Sequence, residues 1–377
     1  MPLNLITIFL ATLVTAIILT ILVRRLAIHF KIIDRPQTNS RHIHQQAVPL
    51  LGGLAIFLTF CLILIWVYFS PAWPVKKFGL WEVLSAKVNI VHLKQLIGIL
   101  VAGCLLMIGG WLDDKYHLKP RQQIIWPILA CLVVIASGIG INYINNPFGQ
   151  GYIYFNHWKI ELFKINSVPF YFTPWADLFT FVWLMLLMYS TKLLDGLDGL
   201  VSGISVIGGL VILVLSLSTL FFQPDVAVLA TIFVAASFGF LLFNFYPAKI
   251  FLGEGGSLFA GFMLGTLAII SGSKIATAFL ILGFPILDTL WITARRIFKE
   301  RRSPFIGDKK HLHFRLLETG FSHRGAVIFL WFISLIFGLV ALFIRTKGKL
   351  LMLLFLIVFM LLLGFFVVFK EKKLKMN

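Results

Sequence analysis

Cysteine is nearly absent from this chain: Cys61, Cys104 and Cys131 are the only three, and all lie in apolar stretches. That excludes a disulfide framework and a cysteine-based zinc site. Charge is also scarce. Charged residues make up 13% of the chain, against about 25% in a soluble globular domain. Acids are the scarcest, with 15 Asp and Glu against 33 Lys and Arg, a formal +18. Such a basic excess could point to nucleic acid. The apolar runs argue against that partner, because many approach the ~20 residues that cross a bilayer and 59% of the chain is hydrophobic. The excess is read as an orientation signal and an attraction to anionic membrane lipid, with part of it merely solvating loops. Internal repeats and low-complexity tracts are missing too, so residues 1–377 read as one integral membrane domain.

What is present is a series of eleven candidate spans: 3–23, 51–69, 96–112, 123–141, 175–190, 200–220, 226–246, 257–273, 275–293, 326–344 and 350–369. Arg24 and Arg25 follow the first run where a signal peptide would show a small-residue cleavage site, so that run reads as a retained span. The connections 24–50, 113–122, 191–199, 247–256 and 294–325 and the tail from Lys370 hold 23 of the 33 Lys and Arg. The basic side is cytoplasmic. The expectation is an all-α polytopic protein of the plasma (inner) membrane, N-terminus outside and C-terminus cytoplasmic. Between Asn142 and Pro174, NPFG and a segment rich in aromatic and β-branched residues predict a short exported β-hairpin.

Acids near a membrane are costly and tend to persist for function. Asp113 and Asp114 end the third span; adjacent carboxylates repel unless a cation offsets them. The bland alternative is a solvated helix end beside Lys115. In TKLLDGLDGL, Asp195 and Asp198 stand three apart, which on a helix puts both on one face. In FLGEGGS, Glu254 lies among glycines whose N–H groups could take phosphate while its carboxylate takes a metal, and Ser257 reads as the N-cap of the next span. The largest basic loop carries His311, His313, Arg315, His323 and Arg324, groups able to contact a polyanion. Half of that run is explained by orientation alone. Arg41, His42 and His44 could also bind phosphate. Asp288, in FPILDTLW, is the main acid inside a span, near its inner end. These motifs, separated by whole spans, fall on one side of the membrane. An acid–glycine–metal site facing cytosol fits a nucleotide diphosphate donor, and its place at the lipid boundary fits a lipid acceptor.

Five motifs in order, DRP…RHIH…VPLLGG, LDDKYHL, LLDGLDGL, NFYPAKIFLGEGGSLF and SPFIGDKKHLHFRLLETGFSHR, resemble the polyprenyl-phosphate N-acetylhexosamine-1-phosphate transferase family from about Asp34 to Arg324. The resemblance implies a Mg²⁺-dependent transfer (Mn²⁺ as an alternative ion) of sugar-1-phosphate from a UDP-N-acetylhexosamine to inner-leaflet polyprenyl phosphate. It starts a lipid-linked envelope glycan and releases UMP. Carried over by position, Asp113 and Asp114 sit by acceptor phosphate and metal, Asp195 and Asp198 shape the nucleotide and metal side, and all four count as catalytic. Lys192, His311, His313, Arg315, Arg41 and His44 bind substrate, and Glu254 with Asp114 holds the metal. The His-loop form is closer to the branch using UDP-N-acetylglucosamine or a related sugar.

The sequence departs from the family pattern at four places. Lys192 stands where Asn is common, Glu254 where Asp is common, His42 where Lys is common and Phe314 where a third His is common. Lys192 is expected either to meet a substrate phosphate or to pair with Glu254. The competing readings are the phospho-N-acetylmuramoyl-pentapeptide transferase of peptidoglycan synthesis, a transporter, and a lipid-binding relative without catalysis. Homodimer formation is left open.

Overall fold

The structure, a computed structural model, describes residues 4–35, 47–69, 93–147, 149–165, 168–219, 222–272, 274–301, 310–344 and 346–376. Lipid offers the backbone no hydrogen bonds, so an apolar run satisfies its N–H and C=O groups by coiling into a helix. The helices are α1 (Leu5–His29), α2 (Gly52–Phe69), α3 (Leu93–Tyr116), the short α4 (Pro120–Gln123), α5 (Ile125–Ala136), α6 (Pro174–Leu194) and α7 (Leu200–Leu217). They continue as α8 (Pro224–Asn244), α9 (Gly253–Ile270), α10 (Ile275–Ile281), α11 (Gly283–Ala294), α12 (Leu312–Glu318), α13 (His323–Phe343) and α14 (Thr346–Met376). Each expected span contains a helix. Among the described residues, eight helices are long and apolar enough to cross a membrane, or nine if α10 and α11, bent by 79°, form one span. The α2 helix and the α4–α5 pair are shorter apolar helices. The bend before α11 falls at Leu282 and Gly283, with Pro285 one turn on, where proline removes a backbone donor.

Several polar side chains inside the bundle close on their own helices. Thr12, Thr59, Thr180, Ser205 and Thr231 each donate to the carbonyl four residues back, whereas the hydroxyls of Thr20, Ser237, Thr266 and Ser334 are buried without a hydrogen-bond partner. The bundle is organised around α9: protein encloses 83% of its most apolar window, against 11% for α14, which lies on the periphery. Glycine makes that centre accessible. A Cβ on Gly110 of α3 would collide with the backbone of Gly255, and one on Gly53 of α2 with that of Gly256. Three helices thus meet backbone to backbone at the start of α9.

The segment expected to form one hairpin forms two. β3 (Tyr143–Asn145) pairs with β4 (Tyr152–Tyr154), and β5 (Ile160–Ile165) with β6 (Val168–Phe172), both antiparallel; β1 (Ile33–Asp34) and β2 (Val48–Pro49) pair elsewhere. Aromatic and β-branched residues recur on both sides of a second turn, so the segment is long enough to fold back twice. The Ile141 N–H donates to Thr180 Oγ1 at 2.8 Å. This ties the hairpins to the start of α6, the end of the bundle opposite to that where α6 finishes.

Candidate active site

The other end of the bundle gathers the charged motifs. Arg24, near the end of α1, donates from Nε to the Lys249 carbonyl at 3.0 Å. The chain entering α2 pairs with the chain entering α9: Phe251 N–H donates to the Pro49 carbonyl at 2.8 Å and Gly53 N–H to that of Leu252 at 2.7 Å. Thr191, near the end of α6, donates from Oγ1 to the Ser257 carbonyl at 2.7 Å. Whole spans apart in sequence, these segments form one surface.

Asp113 and Asp114 arrive at the C-terminal end of α3. Asp114 lies against the first turn of α9, where unpaired N–H groups and the helix dipole favour an anion. Its Oδ1 accepts from the Glu254 N–H at 3.1 Å. Gly253 has φ +75, and a Cβ there would come within 2.5 Å of Asp114 Oδ2, so glycine is required both by conformation and by the carboxylate's approach. Two expectations change here. The glycine-rich turn gives the Glu254 N–H to a protein carboxylate. Ser257 is not an N-cap either, because α9 begins earlier, at Gly253, and Ser257 Oγ donates to the Glu254 carbonyl at 3.0 Å.

Lys192 forms an ion pair with Glu254 Oε1. Its Nζ also donates to Gln123 Oε1 at 3.0 Å, and Gln123 Nε2 donates to Asp113 Oδ1 at 2.8 Å and to the Leu118 carbonyl at 3.0 Å. The two departures from the family pattern therefore face each other, and the pairing arm of the Lys192 expectation is what the fold adopts. Gln123 was not legible as a site residue: from sequence it marks only the start of a span, and its partner Lys192 is 69 residues away. The charges of Asp113, Asp195 and Glu254 all reach Asp114, so four carboxylates share this corner.

Asp195 and Asp198 do not share a helical face. The α6 helix ends at Leu194, and residues 195–199 form a turn in which Gly199 adopts φ +83. Asp195 is an exposed residue of that turn, yet close enough to the acidic corner for its charge to act on Asp114. Desolvation, then the charges of Glu254 and Asp198, push its carboxyl up to about 8. Asp198 points elsewhere. Its Oδ2 accepts from the Ala248 N–H at 2.9 Å, and its own N–H donates to His323 Nε2 at 2.9 Å. Asn244 completes that lock: Oδ1 accepts from Gly199 N–H and Ser202 Oγ, and Nδ2 donates to the Ile250 carbonyl. Asp198 thus holds the turn before α7 against the segment before α9.

The histidines come from the opposite wall. His311 Nδ1 lies 2.7 Å from Asp288 Oδ2, and the rings of His311 and His313 stack at 5.5 Å. His313 is buried beneath the 195–199 turn: a Cβ on Gly196 would lie 2.5 Å from its Nε2. Neither ring nitrogen of His313 has a hydrogen-bond partner. Burial, then the neighbouring His311 and His323, hold its imidazole well below the ordinary range, so the ring is neutral. Arg315 turns away from the acids; Nη1 reaches Glu371 Oε2 at 3.2 Å and Nε the Lys310 carbonyl at 2.9 Å. Arg41 and His44 lie outside the described residues.

Among the described residues, no three His, Cys, Asp or Glu side chains stand at metal-ligand spacing. The acidic corner nevertheless offers only hard oxygen donors. That matches Mg²⁺, which takes one or two carboxylates together with substrate phosphates and not an all-protein cage.

Residues 96–272, which include every acid of the corner, match the family model for glycosyl transferase family 4. The chain is 30% identical over 346 residues to the probable undecaprenyl-phosphate N-acetylglucosaminyl 1-phosphate transferase of Bacillus subtilis (strain 168), covering 90% of this chain and 84% of the relative. It is 31% identical over 343 residues to the decaprenyl-phosphate N-acetylglucosaminephosphotransferase of Mycolicibacterium smegmatis, covering 84% and 76%. A phospho-N-acetylmuramoyl-pentapeptide-transferase of Borrelia hermsii is 30% identical over 329 residues, covering 80% and 83%. Helices that meet in a carboxylate corner, and relatives that are phosphotransferases along most of their length, lead to one conclusion: the chain belongs to glycosyl transferase family 4.

Proposed function

We propose that the protein transfers N-acetylglucosamine-1-phosphate, or a closely related N-acetylhexosamine phosphate, from a UDP-sugar to polyprenyl phosphate. The observation that carries this reading is the meeting of Asp113, Asp114, Lys192, Asp195 and Glu254 at the ends of apolar helices. The orientation that best fits the basic loops puts this end in the cytosol, in a plasma-membrane protein of eleven spans acting as one domain.

In the transfer, an oxygen of polyprenyl phosphate attacks the β-phosphorus of the UDP-sugar. The bridging P–O bond breaks, and UMP departs with its electron pair. Such a reaction mainly needs in-line positioning and neutralised charge. Lys192 brings a cation to the acidic corner and is free to exchange Glu254 for a phosphate oxygen. Gln123 holds Lys192 and Asp113 in register. Asp114 and Glu254 are the side chains that would hold Mg²⁺, which when bound supplies neutralisation of the diphosphate. His313, neutral and without a hydrogen-bond partner, can donate to a donor oxygen at the 195–199 turn.

The test offers purified protein polyprenyl phosphate with radiolabelled UDP-N-acetylglucosamine or UDP-N-acetylmuramoyl-pentapeptide, each with Mg²⁺ or with chelator. UMP release from the first donor, lost on chelation, is the expected result. Release from the second donor alone would assign the protein to the pentapeptide branch. Release from neither would remove the transferase reading.

A further inference from the structure

Asp288 stands on α11 and reaches neither Lys192 nor the carboxylates around Asp114. Both of its oxygens are committed to the start of α12. Oδ2 lies 2.7 Å from His311 Nδ1, and Oδ1 accepts from the Leu312 N–H at 3.0 Å. The first N–H groups of a helix lack partners within it. His311 occupies the N-cap position with φ −65 and ψ 150 and makes no capping bond of its own. A carboxylate from a different helix supplies the cap.

The same carboxylate selects the histidine's tautomer. Facing a carboxylate oxygen, Nδ1 is the donor, so a neutral ring carries its hydrogen there and presents Nε2 as an acceptor. The ring cannot easily reorient, because its side chain is only 4% exposed and stacks on His313 at an interplanar angle of 16°. His313 in turn faces Gly196, next to Asp195. A contact path therefore runs from α11 through two stacked imidazoles to the acidic corner.

We infer that Asp288 is a positioning residue for the transfer: through His311 it sets which ring nitrogen serves the donor diphosphate, and through Leu312 it fixes where α12 begins. The consequence for rate rests on the transferase reading; the tautomer rests on the geometry alone.

Asp288→Asn separates the two tasks. An amide oxygen can still accept from Leu312, but the amide NH₂ can only donate to His311, which moves the ring hydrogen to Nε2. The experiment records ¹⁵N spectra of histidine-labelled protein at a pH well above the usual imidazole range, with the His311 signals identified by their loss in His311→Gln. The expected wild-type pattern is an Nδ1–H tautomer, and Asp288→Asn shifts it to Nε2–H while the thermal transition stays within a few degrees. UMP release should fall on the order of 10²-fold in kcat, with little change in either KM. The double variant Asp288→Asn/His311→Gln should be no slower than His311→Gln, because a residue acting through another adds nothing once that other is gone. An Nε2–H tautomer in the wild type overturns the role whatever Asp288→Asn does. Multiplying losses in the double variant also overturn it, as does an Asp288→Asn rate within twofold of wild type. A wild type that releases no UMP removes the transferase reading and this role together, whereas an active wild type with the wrong tautomer removes only this role.

Discussion

Where α3 and α6 end and α9 begins, Asp113, Asp114 and Glu254 each have a protein partner; two residues beyond the carboxylate-bound His311, His313 has no hydrogen-bond partner at all. The acidic wall carries one cation of its own, Lys192, paired with Glu254, so a substrate phosphate must exchange with that pair to enter. The histidine wall is unfinished. His313 has given up water without gaining a partner, a state that costs about 1–3 kcal/mol and that a ligand oxygen would relieve. One wall is built for neutralisation and the other for recognition.

The largest effect should come from removing charge on the closed wall while keeping its shape. Asp114→Asn retains an oxygen for the Glu254 N–H, so the fold should persist while UMP release falls roughly a thousandfold, the size of effect seen when one preorganised electrostatic group is lost. Near-wild-type turnover would show that Asp114 only caps α9. On the open wall, His313→Gln should slow turnover on the order of 10²-fold and change the acid limb of stability. The folded state takes up a proton at His313 less readily than the unfolded chain does, because its imidazole is held well below the ordinary range. Stability should therefore fall as pH drops through about 6.5 and below, and His313→Gln should flatten that fall in thermal melts. An unchanged acid limb would place His313 in contact with water.

A smaller effect tests whether Lys192 really closes the acidic wall. The pair is largely enclosed, with side chains 18% and 15% exposed. Lys192→Met leaves the Glu254 charge without its cation and should destabilise the protein by about 2 kcal/mol. Adding Glu254→Gln should recover much of that loss. If Lys192→Met melts with the wild type, the closed wall does not depend on its cation. The smallest effect belongs outside both walls. Arg315 pairs with Glu371 on the peripheral α14, at an exposure close to that of the Lys192 pair, but Glu371→Gln keeps an acceptor oxygen for the guanidinium and should cost only about 1 kcal/mol and leave turnover unchanged. A large loss of turnover there would make the tail part of the site.

The same contrast sets what was legible in the sequence. Apolar runs announce helices whatever surrounds them, and acids at helix ends next to glycine announce a charged corner, so Asp113, Asp114, Asp195 and Glu254 could be read directly. The pairing of Lys192 with Glu254 was legible as one of two outcomes, because both residues are unusual in position. Gln123 and Asp288 were not legible as site residues. Gln123 closes a polar stretch at the start of a span and Asp288 stands inside one, neither with any periodicity, and their partners lie 69 and 23 residues away. Direction was equally hidden. Asp198 and Arg315 stand in the expected motifs, but a turn ending α6 aims one at Ala248, and the last turns of α14 draw the other to Glu371.

The central claim is that both walls open to one side of the membrane. Its most direct test is labelling of single-cysteine variants, in a background without Cys61, Cys104 and Cys131, by a membrane-impermeant thiol reagent applied to sealed vesicles of known orientation. Lys119→Cys, Lys249→Cys and Lys310→Cys should all react from the cytoplasmic face, and Tyr152→Cys, in the hairpins, from the other. If Lys119→Cys and Lys310→Cys label from opposite faces, the two walls do not form one site and the account fails.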